Sequence, residues 1–492
     1  MPNKYIANYF LSVANTVIGL ILPIITFPYV SRILGPDKIG IINFVQSYGY
    51  YFMHIASFGI SSYAIREISR IRDDKEKVNE LGNEIYNINL FFSILSSILY
   101  LIIAVCVNKF RVNFFLFAFY SVTIFTNFLG LEWIFQSYDD YAFSTIRSFI
   151  IRILSLIAVF IFVHKEADYP IYMIIICISE MGSRVSNLLY ANRKYVKLRI
   201  SFKFLNFKRH LKSLFVLFSF RLVNGISSNL DKIMLGFFLS YYFVGIYTAG
   251  VKFVFLVIPL IETVGIVLFP KITIAAKENE SLYLENLKLN YKIILLLAIP
   301  MAVGMFLVSP ELILLFAGEK FSSSIIVSRI MSVAIILVPI GDLLGSKTLL
   351  IYNKDKWLLI SSAVVAVSNI VFNFVGIPLW GVIGACVASV LCYVIADLIR
   401  YLFTVRIIKF HLFVPELPKY ILFTVPFILL YYCLRTKIQT STVILFIYII
   451  SAMIIYAAEL ILFRDKTAMY ILSKVFVKHK NNNKQSDVDA QN

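Results

Sequence analysis

Long, uninterrupted apolar runs are the feature that most limits what this chain can fold into. About fourteen such runs lie between Asn8 and Phe463, and most approach the roughly 20 residues that a helix needs to cross a membrane. Lipid tolerates only helix bundles and closed barrels as spanning structures, and barrel strands alternate apolar and polar residues. Because these runs do not alternate, they predict an all-α integral membrane protein with about fourteen transmembrane helices.

The composition supports a membrane protein and argues against a nucleic-acid partner. The chain is 60% hydrophobic and 15% charged, whereas about a quarter of the residues in a soluble domain are charged. A net charge of +18 would suggest nucleic acid in a soluble protein, but in a membrane protein an excess of Lys and Arg marks cytoplasmic connections. The five cysteines lie in apolar runs without metal-ligand spacing, so no metal site is expected.

The basic residues also predict an orientation. The connection after the sixth run, NRKYVKLRISFKFLNFKRHLK, is the most basic, and Lys and Arg also follow the second, twelfth and last runs. The connections on the other side are short and carry few basic residues. This asymmetry predicts cytoplasmic termini, with residues 464–492 forming a polar, disordered cytoplasmic tail.

Two parts of the sequence resemble each other. SRILGPDKIGIINF (residues 31–44) and DKIMLGFFLSYYFVGIYTAG (residues 231–250) each contain a Leu-Gly pair followed by Gly-Ile at the start of the next run. Weak internal symmetry is typical of transporters built from repeated helix bundles. It predicts two six-helix lobes, residues 1–210 and 211–410, followed by two additional helices in residues 411–463.

Several blocks resemble one known family. FPYVSRILGPDKIGIINFVQS, FGISSYAIREISRIRDDKEK, EWIFQSYDDYAFSTIRSFIIRILSLIAVFIFV and the pair LDKIMLG and VGIYTAGVKF are similar to O-antigen (Wzx-type) flippases. These flippases belong to the multidrug/oligosaccharidyl-lipid/polysaccharide exporter superfamily. The resemblance covers most of the chain and is strongest from Asn8 to about Pro270.

The resemblance implies both a fold and an activity. The fold would be two pseudo-symmetric lobes around a central cavity, in the bacterial inner membrane. The activity would be movement of an undecaprenyl-diphosphate-linked oligosaccharide from the cytoplasmic to the outer leaflet, for O-antigen or capsule assembly. Membrane lipids, a polysaccharide polymerase and the chain-length machinery would be its partners, and the protein would not be an enzyme.

Cationic side chains at depth are the candidate substrate ligands. Ionisable residues inside a membrane are costly and usually functional. Arg152, Arg221 and Lys252 lie deep in the fifth, seventh and eighth runs, and Arg147 lies nearer the cytoplasmic end. Arg offers phosphate a planar fork of donors, and Lys a point charge. We predict that these cations line the cavity and bind the diphosphate; Arg147 has the alternative of extending to the interface.

A second set of polar residues is predicted to face the cavity or to hold a coupling ion. Asn224 and Asp231 recur at helical spacing on the seventh run, although hydrogen bonding between helices is an alternative role. Glu180 is four residues from Arg184, which favours an ion pair. The set comprises Glu180, Asp231, Glu262, Asn224 and Asn229.

The sequence contains no nucleotide-binding loop. The nearest stretch, GDLLGSK (residues 341–347), has three residues rather than four between its glycines. We therefore expect no cofactor, and coupling to a proton or sodium gradient.

Three other functions compete with the flippase hypothesis. A drug or cation exporter of the same superfamily would want an acidic cavity, whereas the deep charges here are mostly basic. A lipid II flippase is a near relative that the residues do not separate. An O-antigen polymerase or integral glycosyltransferase is disfavoured, because the external connections are short and carry no carboxylate pair or histidine cluster.

Overall fold

The computed structural model describes residues 2–408, 417–437, 441–470 and 473. Across these ranges the regular secondary structure is helical, and no β-strand occurs in them. The all-α prediction is confirmed. Most of the predicted disordered tail, residues 474–492, lies outside the described residues.

Eighteen α-helices occur in the described part of the chain. In chain order they are α1 (Pro2–Ser57), α2 (Ile60–Ile71), α3 (Lys75–Cys106), α4 (Asn108–Arg111), α5 (Phe114–Phe125), α6 (Glu132–Ser137), α7 (Tyr141–Phe162), α8 (Tyr169–Lys194), α9 (Phe207–Phe238), α10 (Tyr241–Glu278), α11 (Glu280–Phe316), α12 (Ser324–Met331), α13 (Ala334–Leu344), α14 (Asp355–Trp380), α15 (Val382–Ile407), α16 (Leu417–Leu422), α17 (Val425–Lys437) and α18 (Ser441–Leu462).

Within the described residues, ten helical segments are long and apolar enough to cross a membrane. They include α3, α7, α11, α14 and α15, so the chain is a multi-pass membrane protein. The predicted runs in α1, α8 and α9 are also helical but are not among these ten. The total of fourteen spans therefore stays a prediction.

The residues group into two compact units. The first comprises residues 1–249, 316–323 and 362–389, and the second comprises residues 250–315, 324–361 and 390–492. The division into lobes at residues 210 and 410 stays a prediction. Each unit is described by itself below.

The repeated glycines meet in the first unit. Gly35 interrupts α1 with a φ of 71°, so one residue breaks the helix, and Pro36 begins its second half. A Cβ atom on Gly40 would lie 1.7 Å from the Tyr241 carbonyl oxygen, and one on Gly245 would lie 1.9 Å from the Pro36 carbonyl oxygen. Because neither position leaves room for a side chain, the two repeat-related glycines form a close crossing of α1 and α10.

Asparagines on one face of α3 hold the basic connection that follows α8. The Asn83 amide donates to the Lys197 carbonyl oxygen at 3.0 Å and accepts the Arg199 N–H at 2.6 Å. Asn79 and Asn87, four residues away on either side, bond the backbone of the same segment. This spacing places all three on one helix face, and they fix residues 197–201 against the first unit.

Replacing Asn83 by alanine should loosen this connection. Asn83 is 4% exposed, so its loss leaves backbone groups of Lys197 and Arg199 without partners, a cost of about 1–3 kcal/mol. We expect a lower thermal unfolding temperature in detergent and faster tryptic cleavage after Lys197. The matched control is Asn286→Ala, because the Asn286 amide donates along its own helix, to the Leu282 carbonyl oxygen. An equal acceleration of tryptic cleavage in the control would show that Asn83 does not hold this connection in place.

The second unit contains a buried ion pair in the stretch that resembled a nucleotide loop. Lys347 is 4% exposed and lies in a π-helical turn, Gly345–Leu349, with its Nζ 2.6 Å from Asp342 Oδ2. A Cβ atom on Gly265 of α10 would lie 2.2 Å from that Nζ, so the glycine makes room for the ammonium group. Lys347 is thus enclosed within a helix packing contact.

Candidate functional site

A cavity of about 710 Å³ lies within the first unit. Its walls come from the second half of α1 and from α5, α6, α7, α8 and α9. Among the described residues, five Arg or Lys and two Glu line it, so the fixed charge that they contribute is positive. The lining residues are Asn43, Gln46, Ser47, Tyr50, Met53, His54, Ser57, Tyr120, Glu132, Arg147, Ser148, Ile151, Arg152, Ser179, Glu180, Ser183, Arg184, Arg221, Asn229 and Lys232.

Arg147 lies in the wall of this cavity. It is 9% exposed, and its Nη2 lies 3.5 Å from Glu132 Oε1. Its Nε and Nη1 have no hydrogen-bond partner among the described residues. A buried guanidinium with unused donors costs free energy unless something accepts from it. A ligand of opposite charge that reached these two nitrogens would supply the missing acceptors.

Arg152 and Arg221 reach the same cavity from different helices. Arg152 on α7 also approaches α1, where a Cβ on Gly19 would lie 3.1 Å from its Nη1. Arg221 on α9 donates to the Ser62 hydroxyl at 2.8 Å. Asn229 accepts from both Ser47 and Lys232. Three of the four predicted cations, Arg147, Arg152 and Arg221, therefore line one cavity.

Both carboxylates among the described lining residues, Glu132 and Glu180, are associated with arginines. Glu180 Oε2 lies 3.4 Å from Arg184 Nη2, and the predicted pairing along α8 is confirmed. Arg184 also donates to the Thr123 carbonyl oxygen and to the Thr126 hydroxyl. Glu132 accepts from Asn187 at 2.7 Å and pairs with Arg147. Both carboxylates orient cations, and neither offsets the whole positive charge.

Asp231 lies apart from the cavity lining, in a buried polar cluster of the same unit. Its Oδ1 accepts from Asn369 at 3.1 Å and from Asn373 at 2.7 Å. Its Oδ2 accepts from Ser389 at 2.6 Å and from Tyr247 at 2.7 Å. The Oδ1 atoms of Asn369 and Asn373 are buried and have no partner in the described structure. The cluster thus contains a carboxylate with two unsatisfied amide oxygens.

Three predicted site residues fall elsewhere. Lys252 and Glu262 lie on α10 in the second unit, and neither is among the lining residues of the cavity described here. Glu262 interacts electrostatically with Asp342 and Lys347. Asn224 lies on α9, but its side chain is outside the described part of the structure.

Sequence reasoning missed Lys232 and the polar face of α1. Lys232 follows Arg221 and Asn229 at helical spacing, which is the signal that could have identified it. Polar residues along α1 also recur at spacings of three and four: Asn43, Gln46, Ser47, Tyr50, His54 and Ser57. The apolar residues between them hid this pattern.

The sequence matches a polysaccharide biosynthesis family and proteins named as an O-antigen transporter and a glycan flippase. The model of a family described as polysaccharide biosynthesis protein matches residues 5–275, more than half of the chain. The "Putative O-antigen transporter" of Escherichia coli (strain K12) is 21% identical over 336 residues, covering 68% of this chain and 81% of that protein. The "Probable low-salt glycan biosynthesis flippase Agl15" of Haloferax volcanii is 25% identical over 221 residues, covering 44% and 46%.

Solved structures share the fold. A lipid II flippase, MurJ, in an inward closed conformation superposes with a TM-score of 0.78 at 18% identity, covering 93% of this chain and 99% of that one. An inward-facing multidrug resistance transporter of the MATE family has a TM-score of 0.62 at 14% identity, covering 80% and 94%. At these identities, the likeness shows a common architecture.

Proposed function

This chain belongs to the polysaccharide biosynthesis protein family, and from that premise we propose that it is a flippase for undecaprenyl-diphosphate-linked oligosaccharides. It would move them from the cytoplasmic to the outer leaflet of a bacterial inner membrane, with both termini in the cytoplasm. The relatives named as an O-antigen transporter and a glycan flippase support a transporter rather than an enzyme. A polysaccharide polymerase and chain-length machinery would then act on its product.

The buried guanidinium of Arg147, with two unused donor nitrogens in a cationic cavity, is the observation that carries this proposal. A diphosphate presents several anionic oxygens, and arginine binds such oxygens through its fork of N–H groups. Arg152, Arg221 and Lys232 would share the remaining charge. The serine, asparagine and tyrosine side chains of α1 offer hydrogen bonds to sugar hydroxyls.

The cavity charge disfavours export of drugs or other cations. A cationic substrate would need the opposite potential, and the five lining Arg and Lys residues would repel it. The alternative that the carried glycan is a peptidoglycan precursor shares the same lipid diphosphate, so only the sugar distinguishes it.

Reconstitution tests the proposal directly. Purified protein in liposomes should increase the fraction of lipid-linked oligosaccharide that an impermeant sugar-oxidising reagent reaches from outside. The substrate would be extracted from cells in which the gene is deleted. A fluorescent organic cation, tested in the same vesicles, is the control ligand. Uptake of the cation without movement of the oligosaccharide would overturn the proposal.

We propose further that the Asp231 cluster binds the coupling ion. A carboxylate, two amide oxygens and a hydroxyl are hard oxygen ligands that suit a cation such as sodium. In the structure both asparagines donate their NH₂ groups to Asp231; rotation of each amide would turn its unused oxygen toward a bound cation. The site has the residues for such an ion, and protonation of the Asp231 carboxylate is the alternative to a bound cation.

Replacing Asp231 by asparagine should uncouple transport from the gradient. We expect gradient-driven translocation to fall by roughly tenfold or more, because a coupling free energy of this size is typical of linked sites. Substrate affinity measured in the absence of the coupling ion should be unchanged, because linkage acts only when the ion is bound. Exchange of sodium for choline at fixed pH identifies the ion. The control is Asp355→Asn, which removes an exposed carboxylate; full gradient stimulation in Asp231→Asn would contradict the assignment.

A further inference from the structure

A small polar pocket of about 200 Å³ opens beside the cavity within the first unit. Ser57, Glu132 and Arg184 line both spaces. Ser61, Asn127 and Trp133 are among the residues that line only the pocket. A group in the pocket would therefore lie next to the cavity charges but in a compartment of its own.

The pocket forms where two helices are interrupted. Phe58 and Gly59, both with positive φ, separate α1 from α2. A single 3₁₀ turn, Thr126–Leu129, followed by Gly130, separates α5 from α6. Non-helical backbone at membrane depth is tolerated where it lines a polar cavity. The two breaks open polar space inside a helix bundle that would otherwise close.

The pocket has hydrogen-bonding capacity that the protein leaves unused. Trp133 is 2% exposed, and its indole N–H has no partner in the part of the chain that the structure describes. Glu132 commits Oε1 to Asn187 and Arg147. Its Oε2 lies 3.4 Å from where a Cβ on Gly130 would be, so the absence of a side chain there keeps this oxygen accessible. Arg184 adds a guanidinium at the boundary with the cavity.

We propose that this pocket binds one sugar ring of the transported lipid, the ring attached to the diphosphate. This inference rests on the proposed function. Carboxylate, amide, hydroxyl and guanidinium groups pair with vicinal sugar hydroxyls, and the indole N–H of Trp133 is one further donor. The volume equals that of about six or seven waters in the liquid, which suits one ring rather than two. Arg184 joins the ring's site to the cations that hold the diphosphate.

Fluorescence of Trp133 reports occupancy directly. The chain has three tryptophans, and Trp357→Phe with Trp380→Phe leaves Trp133 as the single emitter. The probes are undecaprenyl diphosphate and the native lipid-linked oligosaccharide extracted from a gene-deletion strain. We expect a saturable change in Trp133 emission with the oligosaccharide lipid and no change with undecaprenyl diphosphate. Displacement of a labelled undecaprenyl diphosphate measures the affinity of both probes independently of tryptophan.

Two replacements of Ser61 separate filling of the pocket from loss of one hydroxyl. Ser61→Leu fills the pocket and should lower the affinity for the oligosaccharide lipid by roughly tenfold or more, because it excludes the sugar from a fitted site. Ser61→Ala leaves the space open and should keep the emission change. Both variants should bind undecaprenyl diphosphate like the parent protein.

The outcomes distinguish this pocket from the flippase proposal itself. If both probes bind equally and the Trp133 signal is the same for each, the pocket holds only water and the sugar site is wrong while the diphosphate site stands. If neither probe binds, the proposed function fails first. A Ser61→Leu protein that binds the oligosaccharide lipid with parental affinity would also overturn the sugar site.

Discussion

Replacing Arg152 or Arg221 by alanine should abolish surface polysaccharide assembly without lowering the amount of protein in the membrane. Each guanidinium reaches the cavity of the first unit, and a hydrogen bond to a charged group contributes about 1.5–3 kcal/mol. Loss of one arginine should therefore reduce substrate affinity roughly tenfold to a hundredfold. The measurement is complementation of a deletion strain, scored by surface polysaccharide and by immunoblot of the membrane fraction.

Matched variants make this result specific. Lys212 is exposed on the same helix as Arg221, so Lys212→Ala removes a positive charge without touching the cavity and should complement fully. Arg221→Lys keeps the charge but loses the planar fork, and should restore part of the activity. Full complementation by Arg152→Ala and Arg221→Ala together would show that the cavity does not bind the diphosphate.

Lys252 tests how far the sequence argument extends. Its depth in an apolar run predicts a substrate contact, yet it is not among the residues that line the cavity described in the first unit. Lys252→Ala in the same complementation assay asks whether cations of both units serve the substrate. A loss equal to that of Arg152→Ala would place Lys252 in the transport path.

The helical class follows from the sequence because the apolar runs are long and continuous. The cavity cations Arg147, Arg152 and Arg221 could also be selected, since an arginine at membrane depth is costly wherever it points. The position of a residue along an apolar run, however, does not show in which direction around the helix axis its side chain points. Lys232 and the polar face of α1 needed the structure, because a side chain faces a cavity only through its rotation against neighbouring helices.

Clusters that join distant segments could not be predicted from the sequence, for a different reason. Asp231 was selected for its spacing on one helix, but its partners Asn369, Asn373 and Ser389 lie more than a hundred residues away. The side pocket depends on backbone breaks at Gly59 and beside Gly130, whose φ and ψ angles no residue pattern specifies. Local spacing predicts helix faces, whereas these sites depend on which faces meet.

Adding a methyl group at the glycine crossing should block the transport cycle. Gly40 and Gly245 come from the two copies of the internal repeat, and each faces backbone of the opposite helix at a distance that excludes Cβ. Under the proposed topology this crossing lies on the outer side of the membrane, just after the Gly35 break in α1 and at the start of α10. Gly40→Ala or Gly245→Ala would hold the helices apart, and overpacking of this kind costs about 1–3 kcal/mol or more.

Accessibility of the cavity measures this effect. Asn43 lines the cavity one turn beyond Gly40, and Asn43→Cys is placed in a background where the exposed Cys106 and Cys433 are serine. An impermeant thiol reagent applied from outside should label Cys at this position roughly tenfold faster in Gly40→Ala, because 1.4 kcal/mol shifts a two-state population by that factor. Gly182→Ala on α8 is the control, since a Cβ there meets nothing within 4 Å. A crossing that opens and closes cannot accept a methyl group 1.7 Å from a carbonyl oxygen without a change in its equilibrium. Parental labelling together with parental transport in Gly40→Ala would therefore show that this crossing plays no part in the cycle.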